Sequence, residues 1–152
     1  MKNGVRKILK ENNELTIGNH TVEQKPHDEA TRTLGVWFSP NLCWDKQYEI
    51  MKEKLIKAMI KLLNTKLYPY MVHIYFNVYM IKSVYFGCGV ISLTTSQINE
   101  LKKIYEEPIL IKLGLTKKFP REVMYMSKDS LGLGLLTPET ILAIQRLKLY
   151  FG

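Results

Sequence analysis

The hydrophobic positions of the chain change period near Ser39, and that change predicts most of its architecture. Before it, apolar and β-branched residues come in short runs at residues 5–9, 14–17 and 33–38, separated by polar turn clusters, and such runs read as strands. Gly18-Asn19 supplies the positive φ of a tight turn, so the strand before it is expected to fold directly back into residues 20–22. Residues 26–29 read as a loop. After Ser39-Pro40-Asn41 the spacing turns helical. Tyr48, Met51, Leu55, Met59 and Leu62 fall three or four residues apart, with Ile56 and Leu63 widening the stripe. This predicts an amphipathic helix of about 18 residues, whose other side carries Lys54, Lys57 and Lys61 in one row.

Residues 71–93 are apolar enough to be tested as a transmembrane helix. His73, Asn77 and Lys82 lie inside the stretch and Gly87-Cys88-Gly89 breaks it, which argues against a span. A buried helix from near Pro69 to Val84, followed by a turn at Tyr85-Phe86-Gly87, is expected instead. Thr94-Thr95-Ser96-Gln97 offers hydroxyl caps for a third helix from Ser96 to Lys112, with Ile98, Leu101, Ile104 and Tyr105 as its stripe. Pro108 should kink or divide that helix and Gly114 should end it. A basic loop, Lys117-Lys118-Phe119-Pro120-Arg121, then a short segment at 122–126 and the glycine-spaced residues 130–135 lead to a last helix, opened by Thr137 as cap and Pro138 at its first position. The fold class is mainly α, formally α+β: a helical bundle preceded by a small N-terminal β-hairpin. Residues 1–40 form the β-rich part and residues 41–152 the helical part of one compact unit.

Composition narrows the function classes. The 152 residues are 46% apolar and 24% charged, an ordinary globular balance. Cys43 and Cys88 sit in no C-x-x-C or Cys/His ligand spacing, and nothing at the N-terminus resembles a signal peptide. Reduced thiols in a nuclear or cytosolic protein are expected, not a secreted disulfide scaffold. The 22 Lys and Arg against 14 Asp and Glu leave a net charge of +8, which favours an anionic partner, nucleic acid or an acidic membrane surface. Residues 1–40 hold 6 basic and 5 acidic groups, residues 41–76 hold 6 and 3, and residues 77–152 hold 10 and 6, so the surplus belongs to the C-terminal three quarters. Ordinary helix solvation accounts for the Lys54, Lys57, Lys61 row somewhat more readily than a phosphate-facing role does.

The residues of common catalytic centres are not in place. Asp28, Asp45 and Asp129 are too far apart in sequence for a D-D or D-x-D two-metal motif. Glu106 and Glu107 are adjacent, about 100° apart on a helix, and read as a solvated face. His20, His27 and His73 share no ligand spacing, and His73 reads as a helix residue with a polar partner. Leu131-Gly132-Leu133-Gly134 lacks the third glycine of a phosphate loop, and no G-K-[ST], H-E-x-x-H or G-x-S-x-G is present. No catalytic residue, metal ligand, cofactor or small-molecule substrate is assigned.

A resemblance adds to this reading. Thr31-Arg32-Thr33-Leu34-Gly35-Val36-Trp37-Phe38-Ser39 resembles the "LG-hydrophobic" strand of reverse transcriptases of the non-LTR, LINE-like retrotransposons, in the primer-grip region where palm passes into thumb. The order that follows is similar too: Trp44, a Lys-rich helix, an apolar helix ending in Tyr85-Phe86-Gly87, a helix at 93–101, Leu113-Gly114-Leu115, Phe119-Pro120 and a G-x-G stretch. The resemblance covers essentially the whole chain and is to the thumb and connection region. Thr33 stands where an aromatic is usual, and the paired aspartates, fingers and catalytic palm are not there. The resemblance therefore implies a truncated, non-catalytic fragment of a mobile element's RNA-directed DNA polymerase. It implies Leu34, Gly35 and Val36 as primer-grip-like residues. Its partner would be an RNA or DNA duplex held weakly through backbone phosphates, with Lys54, Lys57, Lys61, Lys117, Lys118 and Arg121 as contacts. The alternatives are an inert packing module whose apolar faces, Trp37, Phe38 and Trp44 among them, once met the missing palm, and a membrane-associated helical protein.

Overall fold

The computed structural model describes residues 15–17, 20–22 and 29–152. The strand expected at 5–9, the Gly18-Asn19 turn itself and loop residues 26–28, with His27 and Asp28, lie outside the described residues. The protein is mainly helical with short hairpins at its N-terminal end. Leu15–Ile17 (β1) pairs antiparallel with His20–Val22 (β2), Leu15 opposite Val22 and Ile17 opposite His20.

A second hairpin corrects the single strand read over residues 33–38. Thr31–Thr33 (β3) pairs with Val36–Phe38 (β4), and Leu34 and Gly35 form the two-residue turn between them. Their φ values are 49° and 89°. Positive φ at both central positions gives the turn whose twist matches antiparallel strands. Gly35 takes that backbone freely; Leu34 is strained there, and its side chain is almost wholly exposed. Turn chemistry read from residue type misses this turn because leucine so rarely occupies it. The outward Trp37 N–H of β4 donates to the buried Gln47 Oε1 at 2.9 Å, which ties the hairpin to the first helix.

That helix, Asp45–Asn64 (α1), buries Tyr48, Met51, Leu55, Met59 and Leu62, the stripe its spacing marks. Ile56 and Leu63 do not widen it. They sit about 100° round the helix from Leu55 and Leu62 and stay 40% exposed. The narrow seam packs against Thr95–Lys112 (α4), which runs parallel to α1. Near their starts Tyr48 Oη donates to Glu100 Oε2 at 2.5 Å, and at their ends Lys112 Nζ donates to the carbonyls of Leu63 and Thr65.

Between them the chain is helical through Pro69–Ile74 (α2), a π-helical stretch Tyr75–Met80, and Ile81–Val84 (α3). The segment is not buried all round. Val72, Phe76, Met80, Ile81 and Val84 face the core, while Met71, Ile74, Val78 and Tyr79 face outward. The wider π turn sets Phe76 and Ile81, five residues apart, on one buried face. No helix among the described residues is long and apolar enough to cross a membrane.

The cap of α4 is Thr94, two residues before the expected start. Its hydroxyl accepts from Gln97 N–H at 3.3 Å while Gln97 Oε1 accepts from Thr94 N–H at 2.9 Å, a reciprocal capping box. Pro108 does not divide α4, since Tyr105, Ile109 and Leu110 are buried on both sides of it and hold the helix to the core. Gly114, at φ 72°, closes the helix with its N–H on Ile111 O, and Leu115 N–H reaches Leu110 O. Arg121–Tyr125 (α5) and Pro138–Phe151 (α6) complete the bundle, with Thr137 capping α6 through Thr140 N–H at 3.1 Å. Phe76 and Tyr105, 4.8 Å between ring centroids, pack at the centre of the core.

Candidate nucleic-acid interface

The six basic residues singled out by sequence fall on two separate parts of the fold and meet different fates. Lys54, Lys57 and Lys61 stand on the exposed side of α1, opposite the seam that α4 covers. Burial of that seam fixes the helix, so the three stems project from a rigid support. Lys57 Nζ lies 3.4 Å from Glu53 Oε2, one turn earlier, with both side chains well exposed. Among the described residues Lys54 and Lys61 face no carboxylate. Lys52, on the same helix, is different: its ammonium meets Glu100 Oε1 at 2.5 Å. Hydrogen bonds from Lys52 and Tyr48 hold the Glu100 carboxyl below its ordinary value, while burial and the same carboxylate push the Tyr48 hydroxyl up.

The second cluster is largely spent on structure. Arg121 is the first residue of α5 and not a loop cation. Its Nε donates to Glu106 Oε2 at 3.0 Å, and its two terminal nitrogens donate to the carbonyls of Phe119 at 2.9 Å and Lys117 at 3.2 Å. Lys117 pairs with Glu107. Lys118 alone of the three is exposed without a described partner.

Glu106 is correspondingly no solvated residue; its side chain is 14% exposed. Besides Arg121 it accepts from Tyr125 Oη at 2.6 Å, and Tyr125 Oη lies 2.9 Å from the buried Tyr105 Oη. Burial first, then the hydrogen bond to Glu106, pushes the Tyr125 hydroxyl up. This chain of polar groups ties α4 to α5. Adjacent glutamates carry no signal of it, because the partners lie 15 and 19 residues away.

The glycine-spaced stretch has a structural use. Asn77, inside the π-helical segment, donates to Gly134 O at 2.8 Å and accepts from Leu136 N–H at 3.2 Å, while its amide also lies 2.9 Å from His73 Nε2. His73 thus has the polar partner expected of it. Gly132 is needed because a Cβ there would come within 2.2 Å of Met126 O.

Of Leu34, Gly35 and Val36, Gly35 packs against the Phe86 ring, and the first and last border a different feature, an open apolar cleft of about 780 Å³. Phe38, Trp44, Phe86 and Leu149 line it, with Lys148 and Gln145 among its few polar groups. The Val36 side chain reaches Gly87 so closely that a Cβ there would lie 2.3 Å from Val36 Cγ2. Phe38 is 39% exposed and the two tryptophans are half-buried, Trp44 edge-on to Phe38.

Among the described residues no group of three or more His, Cys, Asp or Glu is placed to hold a metal ion. Cys43 is exposed, whereas burial pushes the Cys88 thiol up to about 11. Compared with protein-family models, with curated proteins and with solved structures, the chain matches none.

Proposed function

We propose that the protein is a non-catalytic, thumb-like fragment of a retrotransposon-type reverse transcriptase that holds nucleic acid through its backbone, without regard to sequence. The observation that carries this reading is the Lys54, Lys57, Lys61 row: three exposed ammonium groups along one rigid helix face, two of them without a described carboxylate partner. Such a row meets phosphates and reads no base edges. Three phosphate contacts correspond to a log–log salt slope of about −2.7. Fluorescence-anisotropy titration against an RNA–DNA hybrid at several salt concentrations tests it. Saturable binding that the K54E/K57E/K61E variant loses is expected; unchanged affinity in a folded variant would overturn the reading. Template-directed nucleotide incorporation above a no-protein control would overturn its non-catalytic part.

A second reading, a packing module with no activity of its own, is favoured by the apolar cleft beside Trp44 and Phe86. It expects a folded chain with no duplex affinity at low salt.

A further inference from the structure

Just beyond the lysine row the chain presents two aromatic rings to solvent. Tyr68 and Tyr70 are 68% and 66% exposed, stacked nearly parallel at 11° with centroids 6.1 Å apart, and neither hydroxyl bonds a described residue. Burial cannot explain them. Their support is firm. Thr65 bonds back to Lys61 O through N–H and hydroxyl, Lys112 Nζ grips the Leu63 and Thr65 carbonyls, and Pro69 opens α2 between the two rings.

The surroundings are cationic. Between Glu53 and Glu100 the chain holds Lys54, Lys57, Lys61, Lys66 and Lys82 and no acidic residue. Tyr70 also walls a cleft of about 280 Å³ with Pro69, Val72, His73, Lys128 and Leu133, and no acid lines it. Lys66 and Lys128 are exposed and face no described carboxylate.

Exposed, rigidly mounted aromatic faces beside ammonium groups are the elements of a single-strand site, where bases stack and the backbone follows the charge. We infer that Tyr68 and Tyr70, with Lys66 and Lys128, bind an unpaired nucleic-acid strand, the bases stacking on the tyrosines and the phosphates meeting the lysines. This deepens the backbone-binding reading, on which it rests. Stacking uses the base face, so RNA and DNA strands serve alike.

The test compares a blunt RNA–DNA hybrid with the same duplex extended by a single strand of about six nucleotides, in RNA and DNA forms, using the full chain. The extension should tighten binding by about tenfold or more with either sugar. Y68A/Y70A should abolish that gain and leave blunt-duplex affinity within about twofold, while Y68F/Y70F keeps it. Both side chains are exposed, so circular dichroism should show all variants folded. No gain from the extension, a gain that survives Y68A/Y70A, or a gain with one sugar alone would overturn the site. Failure of the blunt duplex to bind overturns the lysine-row reading separately, and the extended strands still decide the tyrosines.

Discussion

Two basic clusters that look alike in sequence differ in what the fold lays opposite them. Along α1, Lys54, Lys57 and Lys61 meet one surface glutamate between them; around the start of α5, Arg121 and Lys117 are taken by Glu106 and Glu107 of α4. A cation's availability to a ligand is therefore a tertiary property. Local spacing reveals an i,i+4 pair such as Glu53 and Lys57, but not a carboxylate brought in from 15 residues away.

The sharpest way to break the contrast is Arg121→Ala. It removes the three-way clamp on Glu106, Phe119 O and Lys117 O and leaves a mostly buried carboxylate with Tyr125 alone. A loss of about 2 kcal/mol is expected in denaturant unfolding. Arg121→Lys should recover only part of it, since an ammonium cannot reproduce the fork. A loss no larger than that of an exposed lysine would mean that both clusters are surface charge.

How much of this was legible follows from the range of each interaction. The buried face of α1 follows directly from the 3.6-residue period, and the Thr137-Pro138 opening of α6 from capping chemistry. The helix class of residues 69–84 was legible as well, but not its π-helical centre, which depends on packing Phe76 and Ile81 together and on Asn77 meeting the Gly134 loop. The Leu34-Gly35 turn was hidden because Leu34 violates the preference that announces such turns. Of the site, exposure of the α1 lysines was readable from the helical period. The engagement of Arg121 by Glu106, and the stacked exposure of Tyr68 and Tyr70, required the fold.

A smaller effect, on pH, sharpens the comparison within α1 itself, because Lys52 is bound by Glu100 while its neighbours are not. Hydrogen bonds from Lys52 and Tyr48 lower the Glu100 carboxyl; at Glu139 burial raises it, but the Lys102 hydrogen bond at 2.5 Å, a backbone hydrogen bond, the Lys102 charge and the Thr137 hydroxyl together outweigh that, and the net shift is also downward. A carboxyl depressed in the folded state adds stability that is present above its ordinary value of 4.5 and is lost as pH falls through the folded value. Thermal midpoints should thus hold from neutral pH down to about 5 and decline below it. Lys52→Met should shallow that acid limb, whereas Lys54→Met should leave it unchanged. An identical acid limb in both variants would deny Lys52 its distinct role.

The smallest effect on stability should come from Lys57. Its contact with Glu53 joins two exposed side chains at 3.4 Å, so Lys57→Ala is expected to change unfolding free energy by no more than about 0.5 kcal/mol. Its effect on binding should be out of proportion to that, because removing one phosphate-bound ammonium shallows the log–log salt slope by about 0.9. Lys117→Ala, which also breaks a contact between two exposed side chains, should cost as little stability but leave the slope unchanged, because Glu107 holds that ammonium. The pair of substitutions therefore separates a cation the fold consumes from one it leaves for a ligand, and equal slopes in the two variants would erase the distinction between the clusters.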